Sequence, residues 1–317
     1  MFAHRMIAGS RFFMGDFAGA HQHYEKAMPL LDSSKRAKLT LQLGVDPAIQ
    51  LLCYFAWLRC IEGHTEEARR LDARAHEIGA SLPHVHARAQ MHMLCGFRAA
   101  FERDDTAMAA DAQALARLAA EHGLSMYKHY ADLLLGWPDI RASSGVHGRL
   151  VAFSRTLERL LAGGARFLVP FCQAQLAMAL AASGRDREAR FAIERALDEC
   201  EETAQGWCDA ELWRVHGEIC WYDGHGDAAE AVQCFERSLE LARGRGARLW
   251  ELRAAVSLAR LWQVQGEADK ALGLLAPVFE GFSEGFDGRD PVEAQALLDE
   301  LREVPPKSGA PSIQGVP

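Results

Sequence analysis

The chain has 317 residues, of which 49% are hydrophobic and 25% charged, and its net charge is −8. This composition is typical of a globular protein, and the acidic balance argues against a nucleic-acid partner. No apolar run reaches the roughly 18 residues of a membrane span. The eight cysteines show neither a CxxC pair nor zinc-type spacing, so we expect a cytoplasmic protein without a metal site or cofactor.

A thirteen-residue pattern begins early in the chain and recurs. GDFAGAHQHYEKA, residues 15–27, has counterparts at 63–75, 184–196 and 266–278. Each starts with a glycine that ends one helix, because glycine tolerates a left-handed C-cap. Small residues then allow two helices to cross closely; they are Ala20, Ala68, Ala189 and Ala271, with Ala8, Ala56, Ala177 and Ala259 upstream.

Three further copies of the pattern are weaker. The copy at 104–116 keeps Ala109 and Ala116 but has no glycine, and the copy at 145–157 keeps Gly145 but has neither alanine. In the remaining copy, Gly217 lies on the first helix and AEAVQCFERSLEL forms the second. The spacing exceeds the roughly 34 residues of a tetratricopeptide (TPR) repeat, which indicates longer helices of the same kind.

The repeats predict an all-α, TPR-like right-handed superhelical solenoid of about seven helix pairs over residues 1–303. A C-terminal capping helix completes it, with Asp290 as N-cap and Pro291 as the first helical residue. Asp46-Pro47 opens the second repeat in the same way. Residues 304–317, rich in Pro, Gly and Ser, are expected to form a disordered tail.

Pro138 interrupts the fourth repeat. It removes a backbone donor and clashes with the preceding turn, so the helix is expected to kink or end near Trp137. A shortened helix is the simpler interpretation, and a hinge in the superhelix is the alternative.

Nearly the whole chain resembles a known family. The blocks that carry the resemblance include LGVDPAIQ (43–50), ELRAAVSLARLWQVQGE (251–267) and LLAPVFEGFSEGFDGRD (274–290). They are similar to the C-terminal TPR region of bacterial proteins that join a class III adenylate/guanylate cyclase domain to an AAA-type signalling ATPase. The resemblance implies a regulatory, protein-binding module. It does not extend to the enzymes, because the chain has no G-x-x-x-x-G-K-[ST] motif.

Other motifs are weaker candidates for chemistry. GFSEG, residues 281–285, fits the nucleophile elbow of hydrolases, but a helix is predicted before it where that motif requires a strand. His84, His86 and His92 cluster in sequence, yet histidines two residues apart on a helix point in different directions. Capping or solvated histidines are therefore the better interpretation, and no metal site is predicted.

The first helix of each pair is expected to line the concave wall of the solenoid. Counting inward-facing positions selects an apolar N-terminal half and a charged C-terminal half with arginines, which suit carboxylates. Ordinary surface arginines paired with neighbouring helices are the simpler alternative. The predicted partner-binding residues are Trp57, Met91, Arg98, Arg214, Glu218, Arg253 and Arg260.

These observations favour a non-catalytic scaffold that binds a protein or peptide in its groove, the partner including a cyclase or ATPase domain in the family context. An acidic or C-terminal segment is expected to dock on the arginines of the sixth and seventh repeats. A small-molecule sensor that uses the groove or a pocket near Trp137 is the alternative, and a hydrolase that uses Ser283 is the remote one.

Overall fold

The computed structural model describes residues 1–31, 40, 44–142, 147–221 and 226–303. These ranges contain fifteen α-helices and no strand. The predicted tail at 304–317 and the glycine of the fourth copy lie outside them. The helices are α1 Phe2–Phe13, α2 Phe17–Ala27, α3 Pro47–Ile61, α4 Thr65–Ala80, α5 Val85–Glu102, α6 Asp105–His122, α7 Ser125–Ala142, α8 His147–Ala162, α9 Val169–Ala182, α10 Asp186–Glu202, α11 Asp209–Cys220, α12 Ala228–Arg245, α13 Arg248–Val264, α14 Ala268–Glu280 and α15 Arg289–Glu303.

The helices form seven pairs followed by one terminal helix. The two helices of each pair pack together, from α1 with α2 to α13 with α14, and each first helix also contacts the first helix of the next pair. α15 packs on α13 and α14 as the cap. The predicted TPR-like helical solenoid is thus confirmed. None of the described helices is both long and apolar enough to cross a bilayer.

The small residues at the helix crossings are where the repeat pattern places them. All eight alanines named in the strong copies, four on first helices and four on second helices, are completely buried. The four loop glycines have φ between 73° and 88°, the left-handed region that a side chain disfavours. The sequence grammar therefore has a direct geometric cause: close crossings between paired helices and sharp turns between them.

The third copy follows the same rules, but one residue earlier than predicted. Arg103, not Asp104, occupies the loop position and adopts φ 60°, while Asp104 accepts a hydrogen bond from Ala107 N as the cap of α6. Met108 and Leu115 fill the two crossing positions and are buried, whereas Ala109 and Ala116 are only half-buried. The predicted register was wrong because an arginine takes the place of the loop glycine.

Two predicted helix boundaries are also wrong. α7 was expected to kink or end near Trp137, but it does not end there: it continues past Pro138, with Trp137 and Ile140 on either side of the proline both buried in the core. The expected kink stays a prediction. The capping helix begins at Arg289, so Asp290 lies in its first turn instead of at the N-cap. By contrast, Asp46 is the N-cap of α3, as predicted.

A group of aromatic side chains fills the middle of the solenoid. Trp207, in the connection between α10 and α11, lies 6.0 Å from Phe12, 6.2 Å from Trp57 and 5.4 Å from Phe101 between ring centroids. Successive turns of the superhelix thus meet across its axis. We call this group the aromatic hub: Phe12, Trp57, Phe101, Phe171, Trp207 and Trp250.

Polar contacts also join repeats that are far apart in the chain. Gly206 N donates a 2.8 Å hydrogen bond to Phe13 O. The Glu284 carboxylate accepts one from Glu67 N at 3.2 Å, across 217 residues of sequence, and so caps α4, whose own N-cap residue makes no side-chain cap. Arg69 bonds to Asp287 at 3.0 Å. The solenoid is therefore tightly wound, with its seventh repeat held against its second and third.

The helix crossings provide a first test of the repeat register. Ala20→Leu and Ala189→Leu each force four-carbon side chains into completely buried positions. We expect each to lower the free energy of unfolding by about 1–3 kcal/mol through overpacking. Thermal and urea unfolding would measure this. Ala73→Leu, at an exposed position of α4, is the matched control and should be nearly neutral. Equal stabilities for all three variants would contradict the register.

Candidate functional site

The concave face retains one polar cavity, of about 320 Å³, beside the aromatic hub. It lies among the first helices α7, α9, α11 and α13, and the start of α15 closes one side. One wall is largely apolar and includes Trp137, Phe171, Gln175 and Met178. The other wall is charged, with five arginines and four carboxylates: Arg103, Arg214, Arg253, Arg260, Arg289, Glu211, Glu218, Asp290 and Glu293.

The structure brings together the four residues predicted in the sixth and seventh repeats. Arg214, Glu218, Arg253 and Arg260 all line this cavity. Helical spacing explains this, since residues three or four apart on α11 and α13 share the face that points to the concave side. These two first helices also pack against each other. The charged half of the predicted wall therefore exists as one surface.

Most of the charge on this wall is satisfied internally. Arg214 grips Glu211 with two nitrogens, at 2.8 and 2.9 Å, and reaches Glu218 at 3.1 Å. Burial alone would raise the pKa of Glu211, but the guanidinium groups of Arg214 and Arg253 lower it below its usual value. Glu211 is consequently a buried anion held by two cations.

Arg253 is the centre of a buried ion-pair network. It bonds to Glu211 at 3.3 Å and to Asp290 at 2.6 Å, and it also donates to Phe101 O in the hub. Arg103 holds the second Asp290 oxygen at 2.9 Å. Burial would raise the pKa of Asp290, but the two arginines lower it. The network thus ties α5, α11, α13 and α15 together.

Arg260 differs from its neighbours. It is exposed, on the last full turn of α13, and makes no ion pair with any residue in the described ranges. Gln175 on the facing wall likewise has no hydrogen bond within those ranges. Met178 beside it is half-buried. The cavity therefore offers one unpaired guanidinium, one free amide and an apolar surface to an occupant.

The N-terminal half of the predicted wall is not open. Trp57 is completely buried in the hub and donates a 2.7 Å hydrogen bond to Leu94 O. Met91 is 3% exposed, and Arg98, 4% exposed, is held between Asp72 and Glu102. Met91 and Arg98 thus pack against α4, the second helix of the preceding repeat, and not along an open groove. Trp57 is covered by the rings of the hub, which the tight winding brings together.

GFSEG has a structural role in the fold. α14 precedes it, in place of the strand that a nucleophile elbow requires. Glu284 caps α4. Gly285 adopts a φ of 75°, and its backbone N lies 3.4 Å from the Glu66 carboxylate. Ser283 is exposed and has no hydrogen bond to a histidine within the described part of the chain.

The histidines behave differently from one another. His84 accepts a hydrogen bond from Ala87 N and caps α5, as its position after Pro83 suggested. His92, however, lies 2.7 Å from Asp111, which also contacts His76 at 3.3 Å. The bonds of His76 to Asp111 and to Cys95 raise the pKa of His76 to about 10. Sequence reasoning missed this cluster because it considered only histidines near one another in the chain.

No protein-family model matches this chain, and no curated protein matches it. Several solved structures resemble it, including these two. One is NprR in complex with its cognate peptide NprX, with 13% identity, coverage of 95% of this chain and 82% of that one, and a TM-score of 0.55. The other is Rap protein complexed with Competence and Sporulation Factor, with 11% identity, coverage of 95% and 79%, and a TM-score of 0.61. At these identities the likeness extends to the fold alone, a TPR-like helical solenoid.

The ion-pair network predicts that Arg253 is structural. Arg253→Met leaves the buried carboxylates of Glu211 and Asp290 with one cation each. We expect the free energy of unfolding to fall by about 3 kcal/mol, as for other broken buried pairs. Arg237→Met is the control, because it breaks only an exposed pair with Glu240, which is worth about 0–1 kcal/mol. Chemical denaturation would separate the two. A loss no larger for Arg253→Met than for the control would refute the structural role.

Proposed function

We propose that this chain is a non-catalytic scaffold whose concave cavity binds a short acidic segment of a peptide or protein. The observation that carries the proposal is the position of Arg260. Its guanidinium is unpaired within the described ranges, at a cavity whose facing wall is apolar. An arginine fork that faces a cavity is suited to bind a carboxylate in two places at once.

The charge and size of the cavity support this occupant. Its lining has one net positive charge in a chain whose net charge is −8, so an anionic group is favoured here over other parts of the surface. A volume of about 320 Å³ lies at the lower end of the range for ligand sites. It suits one or two side chains, or a chain terminus, better than a long peptide.

The two similar structures agree with this choice of ligand class. NprR was solved in complex with its cognate peptide NprX, and Rap in complex with Competence and Sporulation Factor. The proposal carries peptide binding over to this chain as a hypothesis, which the chemistry of its own cavity supports.

A non-catalytic role fits the arrangement of the polar groups. The carboxylates of the cavity are held by arginines, and a carboxylate with a lowered pKa is a poor general base. Ser257 donates a 2.5 Å hydrogen bond to Glu218, and no histidine lines the cavity. The same Glu218 oxygen also accepts a 3.1 Å hydrogen bond from Arg214, which weakens it as a base toward Ser257. The lining therefore has no serine paired with a histidine, the usual activated nucleophile.

Charge reversal at Arg260 tests the proposal. The probes are a pool of short acidic peptides with free C-termini and the same pool amidated, with binding followed by tryptophan fluorescence, since Trp137 lines the cavity. We expect Arg260→Glu to weaken binding at least about tenfold, because it places like charges together. Binding should also weaken as salt increases.

Arg195→Glu is the matched control. Arg195 is an exposed arginine on the second helix α10, outside the cavity, and it too makes no ion pair within the described ranges. The Arg195→Glu variant should bind the peptides as tightly as the unmodified chain does. The proposal would be refuted if Arg260→Glu bound the peptides as tightly as the unmodified chain does, or if the unmodified chain bound no peptide from either pool. Loss of binding on amidation alone would identify the C-terminal carboxylate as the group recognised.

The small size of the cavity favours a second candidate, a sensor of small carboxylates. Such a ligand would occupy the concave cavity that is proposed for the peptide, with Trp137 in its wall. Titration with small dicarboxylates in the same fluorescence assay distinguishes the two. Binding of a dicarboxylate with no binding of the peptides would favour the sensor.

The regulatory context is a separate proposal and rests on the sequence resemblance. We propose that this chain serves as the C-terminal regulatory module of a cyclase–ATPase signalling system, with such a domain as its protein partner. The coding sequence next to this one tests it. An adjoining cyclase or ATPase reading frame is expected, and its absence together with failure to bind such domains would contradict the proposal.

A further inference from the structure

Three potential metal ligands meet between α11 and α12, away from the cavity. His216 and Cys220 are four residues apart on α11, so their side chains share one face. Cys234 on α12 packs against that face, and the three ligand atoms all lie within 4.8 Å of one another. Around zinc, thiolate and imidazole ligands lie about 2.0–2.3 Å from the ion. Small side-chain rotations therefore bring these atoms to a common centre.

The histidine of this group lacks a hydrogen-bond partner within the described part of the chain. Both ring nitrogens of His216 are buried and make no hydrogen bond to the described residues. A buried polar atom without a partner costs free energy, so it needs an explanation. Cys220 and Cys234 are buried free thiols. The other two such clusters differ, since His92 bonds to Asp111 and Arg98 to Asp72 within them.

We infer that His216, Cys220 and Cys234 bind one Zn²⁺ ion. Two thiolates neutralise the charge of the ion, so the buried site gains no net charge. Soft thiolate and imidazole ligands are those that zinc prefers. The next carboxylate, Glu230, is held by Arg190 at 2.8 and 3.2 Å. Solvent therefore occupies the fourth position, and a surface cavity of about 660 Å³ that reaches His216 provides the path of entry.

Zinc at this place joins the two helices of the sixth repeat. α11 carries Glu211, Arg214 and Glu218 on its opposite side, toward the concave cavity. The ion therefore fixes the rotation and position of the helix that forms part of the charged wall. This role does not depend on what the cavity binds.

Cobalt substitution tests the site directly. The full-length chain, reduced and freed of metal by chelation, is titrated with Co²⁺ and then with Zn²⁺. We expect a near-ultraviolet thiolate-to-cobalt charge-transfer band and the visible bands of tetrahedral cobalt, both abolished as Zn²⁺ displaces Co²⁺. Zn²⁺ should also raise the Tm.

Variants assign the spectrum to these residues. His216→Ala should weaken binding more than about 100-fold, since loss of an outer-sphere partner alone costs roughly 10–100-fold. The double variant C220S/C234S should lose the charge-transfer band. Circular dichroism would verify that each variant is folded.

Two controls keep the test specific. C172S removes a buried cysteine that belongs to none of the three clusters, and His92→Ala alters a different cluster. Both should retain the charge-transfer band. The inference is overturned if the unmodified chain gives no such band, if C220S/C234S keeps it, or if His92→Ala alone removes it.

Discussion

The stacking of Trp207 against rings from distant repeats determines the shape of the molecule. In most solenoids a repeat touches only its neighbours, but here Trp207 contacts Phe12, Trp57 and Phe101 on three different first helices. Burial of an aromatic side chain contributes about 2–3 kcal/mol, so the six rings of the hub hold the superhelix at a narrow pitch. That pitch brings the seventh repeat against the second and third.

The candidate site is a consequence of this winding. Because α13 comes close to the end of α5, Arg253 reaches Phe101 O and the carboxylates of Glu211 and Asp290 at once. The buried network forms a rigid floor. Among the arginines that line the cavity, only Arg260 at its edge has no ion pair with a described residue. Burial thus divides the predicted arginines into two groups: Arg214 and Arg253 are structural, and Arg260 is accessible to a ligand.

The sequence was sufficient for features that depend on neighbours in the chain. Loop glycines and crossing alanines have fixed spacings, so pairing, stacking and the terminal cap were predictable. The contact of the seventh repeat with the second and third was not predictable, because contacts between residues some 200 positions apart leave no periodic signature in the sequence. For that reason the burial of Trp57 inside the hub was missed. Met91 and Arg98 were predicted to line the groove, but they are buried against α4. The cluster of His76, His92 and Asp111 was missed for a different reason: its members come from three successive helices, and only histidines close together in the chain were compared.

The cap that Glu284 places on α4 has a consequence for how the repeats depend on one another. A solenoid whose repeats meet only their neighbours can be shortened or extended one repeat at a time, and its ends fray independently. Here the removal of any one repeat from the third to the sixth would change the angular phase of the later repeats and separate Glu284 from α4. The second and the seventh repeats should therefore open together, so that their amide hydrogens exchange as one cooperative unit.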